Sequence, residues 1–97
     1  MGRTCHEFRV MVKNEANGEI LLDLPSLSNK VNRVVDFLDE WGFYTKQRPI
    51  LLKDFSCKIE TLEAFPEELF EVLYRSAGLR EWEISMVFDE DYYREKL

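Results

Sequence analysis

Near its N-terminus the chain alternates apolar and polar residues with a period of two. Phe8, Val10 and Val12 stand against Glu7, Arg9, Met11 and Lys13, the pattern of a half-buried strand. Ile20, Leu22 and Leu24 repeat it against Glu19, Leu21 and Asp23, after a turn that contains Ala16-Asn17-Gly18. A two-residue Asn17-Gly18 turn pairs Val12 with Asp23 and sets a carboxylate beside the core. A three-residue loop pairs Val12 with Leu22 and Val10 with Leu24, and gives Gly18 the left-handed bulge position. The apolar pattern therefore selects the three-residue loop.

Pro25 ends this second strand, and Ser26 and Ser28 are competent helix N-caps. Leu27, Val31, Val34, Val35, Leu38 and Trp41 then form one helical stripe, which Gly42 is placed to end. Charges run against the helix macrodipole: Lys30 and Arg33 come early, and Asp36, Asp39 and Glu40 come late. An exposed charge so placed costs about 0.3–1 kcal/mol. Residues 43–48 alternate weakly and predict a third strand closed by Pro49. Residues 50–54 read as a connection whose Ile50-Leu51-Leu52 run needs a cover. Phe55, Cys57, Ile59 and Thr61 mark a fourth strand. Pro66 suits the first turn of a second helix, with Glu67 and Glu68 at its positive end. That helix buries Leu69, Val72, Leu73, Ser76 and Ala77 and is capped by Gly78. Trp82, Ile84, Met86 and Phe88 alternate with Glu81, Glu83, Ser85 and Val87 in a last strand. Residues 89–97 are an acidic, aromatic tail, read as a short helix or a frayed end.

The order ββαββαβ predicts an α+β domain: a single-layer, mostly antiparallel sheet with two helices on one face. From the second strand onward it follows the ferredoxin-like βαββαβ pattern, with a hairpin strand added in front. The sheet's other face is then solvated or covered by a partner. The expected core is Val10, Val12, Leu22, Val31, Val35, Leu38, Ile59, Leu69, Leu73, Ile84 and Met86. At 97 residues and 11.6 kDa the whole chain, 1–97, reads as one domain. Such a fold carries no function by itself.

Charge changes the picture. Net charge is −6, and it is uneven: residues 1–58 carry 9 basic and 8 acidic groups (net +1), and residues 59–97 carry 4 and 11 (net −7). A net-negative surface disfavours ordinary nucleic-acid binding and anionic membrane surfaces, and permits a protein partner with a basic surface. A homodimer is also permitted. The longest apolar run is three residues, too short for a membrane span. The start Met1-Gly2-Arg3-Thr4-Cys5-His6 has no apolar signal region, and two cysteines are too few for a disulfide framework. A reduced, cytoplasmic setting is the expectation.

No Gly-rich phosphate loop, HExxH or CxxC occurs. A nucleophilic Cys–His pair cannot form between Cys5 and His6 on a strand, because neighbours point to opposite faces. Cys57 with His6 is open, although Cys57 shares a register with Phe55 and Ile59 and reads as core. Cys5, His6 and Cys57 have no zinc-ligand spacing, and Asp89-Glu90-Asp91 lacks the glycine turn of a calcium loop. No cofactor and no metal are expected. Glu81 and Glu83 fall on one side of the last strand, but nothing supplies a pocket for acid–base chemistry.

The C-terminal third is the leading candidate site. Glu81, Glu83, Asp89, Glu90, Asp91, Tyr92 and Tyr93 combine acidic groups that steer a basic partner with aromatics that anchor one. The functional expectation is a small, acidic, non-enzymatic interaction module that binds and regulates or inhibits a larger protein. Antitoxins, immunity proteins, phage inhibitors and assembly subunits are of this class. An ACT-like ligand-sensing domain is the alternative, and an enzyme with a Cys or paired-carboxylate site the third. Against the ACT-like reading, Pro25-Ser26-Leu27-Ser28 offers no glycine for close ligand approach.

Overall fold

The computed structural model describes residues 4–88. Strand β1 (Thr4–Val10) turns Cys5, Phe8 and Val10 into the interior, where all three are fully buried. The spacing of three between Cys5 and Phe8 breaks strict alternation. It is absorbed by an irregularity in the antiparallel pairing of β1 with β5 (Cys57–Pro66). Cys5 faces Phe65 while Glu7 faces Glu60, so residues 61–64 bow out opposite His6. The buried Thr61 hydroxyl satisfies this bulge, donating to the Glu63 carbonyl at 2.7 Å.

Chain direction changes after Val10. The Met11 N–H donates to the Glu83 carbonyl at 2.8 Å. Strands β2 (Val12–Lys13) and β3 (Ile20–Leu21) form a separate two-stranded ribbon. Its register corrects the three-residue loop: Val12 faces Leu21, not Leu22, and four residues, 15–18, make the turn. Asn14 donates its N–H to the Glu19 carbonyl and accepts from Gly18, which has φ 71°. The Asn14 and Asn17 side chains accept from the N–H groups of Ala16 and Glu19. Turn hydrogen bonds decide this register because Leu21, Leu22 and Leu24 are exposed, so no core face disciplines it. Leu22, expected in the core, is 50% exposed.

Helix α1 (Leu24–Glu40) begins earlier than expected. Asp23 is its N-cap and accepts from the Ser26 N–H at 3.2 Å and the Ser26 hydroxyl at 3.0 Å. Pro25 therefore lies in the first turn of the helix and does not end a strand. Leu27, Val31, Val34, Phe37 and Leu38 are its buried stripe. Trp41 instead stacks on Phe37 at 4.9 Å and stays half-exposed. Gly42 follows at φ 85°, the left-handed position that ends the helix.

The main sheet is antiparallel throughout, in the order β4-β5-β1-β6, with β4 at Ile50–Leu51 and β6 at Ile84–Val87. With α1 and α2 (Phe70–Ser76), it makes the expected α+β arrangement. The strands' assignments differ in detail. Thr4–Val10, not residues 20–24, is the sheet's first strand, because it alone of the two carries a continuous buried face. Residues 43–48 do not form the expected strand: Tyr44 takes φ 54°, and only Thr45 bridges to β5, at Thr61. Ile50–Leu51, expected as connection, is the edge strand. Pro66 closes β5, and a 3₁₀ turn at Glu67–Leu69 leads into α2. A second 3₁₀ turn takes Glu81–Glu83, so the last strand starts only at Ile84.

One core joins the inner faces of β1, β5 and β6 to α1 and to Leu73 and Ala77 near α2. Val10, Val31, Leu38, Ile59, Leu73 and Ile84 are buried as expected, and Val12, Val35, Leu69 and Met86 pack partly against them. The outer face is polar at its centre. Glu7 faces Glu60 and Arg9 faces Lys58 across the strands. Each like-charged pair is offset along its own strand, by Arg9–Glu7 at 2.9 Å and Lys58–Glu60 at 3.1 Å.

Two stability outcomes follow from this packing. Leu38→Ala and Ile84→Ala should each lower the unfolding free energy by about 2–5 kcal/mol, read from the urea midpoint. Phe55, in the β4–β5 turn, holds φ 68° and is 42% exposed. A bulky residue there carries about 1–2 kcal/mol of backbone strain that glycine relieves. Denaturation midpoints at position 55 should therefore rank Gly at or above Phe, and Phe above the β-branched Val.

Candidate functional site

Helix α2 is short and buries mainly Leu73 through the core. Its neighbouring stripe, Phe70 and Tyr74 at i and i+4, is half-buried, with rings 5.5 Å apart edge to face. These two rings, with Ile84, Met86 and Phe88 from β6 and beyond, floor a groove of about 500 Å³ between α2 and the sheet edge. Glu67, Glu68, Glu71 and Glu81 line the same groove. Glu71 pairs with Arg75 one turn on, at 2.8 Å. The Arg80 guanidinium is engaged by Glu15 and lies 5.2 Å from the Trp82 ring. The groove thus combines an apolar, aromatic floor with an acidic rim.

The expected site residues are distributed as follows. Glu81 is at the groove and exposed. Glu83 is not on the same side of a strand as Glu81, and it does not face solvent. It is 6% exposed in the 3₁₀ turn, with its carboxylate 2.9 Å from the Lys30 ammonium and accepting the Arg80 N–H at 3.1 Å. Two groups it must satisfy, a cation and a backbone donor, draw it inward, so it serves the fold. Asp89, Glu90, Asp91, Tyr92 and Tyr93 lie outside the described residues. Sequence reading missed Glu67, Glu68 and Glu71 as site groups, since carboxylates at a helix N-terminus are explained by the helix dipole alone. The signal was the Phe70/Tyr74 stripe beside the Leu73/Ala77 stripe, one apolar face too many for a helix that buries a single side.

Cys57 and His6 are placed apart. Cys57 faces Val10, four residues along β1 from His6, so thiol and imidazole are not brought together. His6 instead lines a hollow of about 230 Å³ with Glu7, Glu60, Val87 and Phe88. Burial pushes the Cys5 thiol up to about 12 and raises Cys57 as well, which holds both protonated at neutral pH. Among the described residues, no three His, Cys, Asp or Glu side chains cluster closely enough to hold a metal ion. No helix among them is long and apolar enough to cross a membrane.

The thiols make a pH prediction. Both pKa values are raised in the folded state; the contribution of Cys5 is fully present below about pH 9 and is lost as pH rises toward 12. Urea unfolding between these limits should show stability falling by about 1.4 kcal/mol per pH unit for Cys5. Cys5→Ala should flatten that slope. In the native state at neutral pH, both thiols should react with a disulfide reagent far more slowly than in urea.

No family model matches this chain, and neither a curated protein nor a solved structure matches it, so the groove between α2 and β6 stands on its own geometry.

Proposed function

We propose that the chain is a non-enzymatic interaction module that binds a basic segment of a larger protein and thereby regulates or blocks it. The observation that carries this reading is the groove between α2 and β6, where Glu67, Glu68, Glu71 and Glu81 surround Phe70, Tyr74 and Met86. Carboxylates at the rim steer a cationic segment and speed encounter, and the aromatic and thioether floor holds its apolar or aliphatic portions. Lysine and arginine suit such a groove doubly, since their alkyl stems pack while their charged ends reach the rim. Phe88 lines the groove, and the next five residues in sequence, Asp89 to Tyr93, add three carboxylates and two tyrosines to the same end of the chain. These five residues and Glu81 belong to the proposed contact, and Glu83 belongs to the fold. The proposed setting is the cytoplasm, where the thiols of Cys5 and Cys57 stay reduced.

The test is binding kinetics against the partner captured from the native host, at low and physiological salt. Association should slow as salt rises, because the attraction is screened beyond about 8–10 Å. The Glu68→Lys, Glu81→Lys double variant should lower the on-rate about tenfold or more and leave the melting temperature nearly unchanged. Tyr92→Ala should act mainly on the off-rate. Salt-independent association, with both reversals silent, moves the interface elsewhere.

A further inference from the structure

We infer that the groove between α1 and β4 is a second docking surface, and that its occupant is an apolar segment of a partner protein that carries carboxylates. The groove lies at the β4 edge of the main sheet, the edge away from β6. It encloses about 380 Å³. Leu27 and Val31 of α1 and Cys57 of β5 floor it, and all three are buried. Leu24 and Leu51 wall it and are about half exposed, at 53% and 48%. Large aliphatic side chains left open around a concave apolar floor are what a binding groove requires and what a solvated edge does not.

Charge decides the occupant. Arg48 lines the groove, and Lys46 and Lys53 flank it along the chain. All three are exposed, and none takes part in an ion pair among the described residues. A second copy pairing antiparallel through Ile50 and Leu51 would set Arg48 of each copy opposite Lys53 of the other. Like charges directly opposite are destabilising, so self-pairing is disfavoured. The basic segment that suits the α2–β6 groove is repelled here for the same reason. An acidic, apolar segment meets both the open leucines and the unpaired cations. Its main-chain contacts are limited: Pro49 offers no N–H, and the Leu52 N–H is taken by the Ser56 carbonyl at 2.8 Å. Side chains in the groove, more than strand addition, carry the recognition.

The experiment titrates the full chain, uniformly labelled with nitrogen-15, with two short synthetic peptides. One alternates leucine and glutamate, and the other alternates leucine and lysine. The leucine–glutamate peptide should shift the amide resonances of Leu24, Val31 and Leu51, and the leucine–lysine peptide should not. Arg48→Glu should weaken the first peptide about tenfold or more without changing the melting temperature, since Arg48 is exposed. Leu51→Asp should abolish the shifts. If the cations only guard the sheet edge against pairing, the leucine–glutamate peptide leaves these resonances unmoved at millimolar concentration, and the proposal fails. It fails equally if both peptides shift them alike, or if Arg48→Glu has no effect. It also fails if sedimentation shows the free chain to be a dimer whose groove amides move on dilution.

Discussion

Phe8 meets Phe65 edge to face with ring centroids 5.0 Å apart, and neither ring is accessible to solvent. Much else in the architecture is a condition for that contact. Phe8 lies on β1, and a ring there is sealed only when β5 pairs on one side and β6 on the other. Phe65 comes within reach because residues 61–64 bow out opposite His6 and advance the register by three. Phe43 then packs on Phe65 at 4.7 Å and ties the segment after α1 to the sheet. Burying one such ring is worth about 1.5–3 kcal/mol, and an aromatic pair adds about 0.5–1.5 kcal/mol. Against a total of about 5–15 kcal/mol for a domain of this size, this one cluster decides whether the chain folds.

The second constraint is electrostatic. Lys30, read in the sequence as a cation misplaced near a helix start, lies in the second turn of α1, past the first turn where the dipole acts, and its ammonium reaches the buried carboxylate of Glu83. Removing one partner of a buried pair costs about 3–5 kcal/mol. The misplaced charge is therefore a tertiary contact. It links α1 to the 3₁₀ turn before β6, where the Glu83 carbonyl also accepts from Met11. The same pair withdraws Glu83 from the surface. Carboxylates of Glu67, Glu68, Glu71 and Glu81 line the groove between α2 and β6, and Lys46, Arg48 and Lys53, in no ion pair among the described residues, lie beside β4 at the far edge of the sheet. A chain of net charge −6 can thus present a basic edge, because its first 58 residues are close to neutral. The polar centre of the outer sheet face lies between these two edges.

The sequence by itself determined the elements whose pattern is strong and whose burial is complete. The alternation through Phe8 and Val10, the stripe through Leu27, Val31, Val34 and Leu38, and the run Ile84 to Val87 were all legible, because in each the core enforces the period. So were the α+β class, the sheet's antiparallel character and the excess of acid in the last third. Where a face is open, the pattern had nothing to enforce it. Leu21, Leu22 and Leu24 looked like a strand face and are exposed, so turn hydrogen bonds from Asn14 and Asn17 set the ribbon's register and Asp23 claimed the helix start. Ile50 and Leu51 looked like a connection and form the edge strand, while residues 43–46, with Tyr44 at φ 54°, reach β5 only through an isolated bridge at Thr45 and scattered hydrogen bonds. Glu81 and Glu83 looked alike in sequence. Lys30, more than 50 residues away along the chain, and the Arg80 N–H hold Glu83 inward, while Glu81 stays on the groove. Both grooves are products of packing: local periodicity carries no information about which surfaces will meet, whether the elements follow closely in the chain, as α2 and β6 do, or lie further apart, as α1 and β4 do.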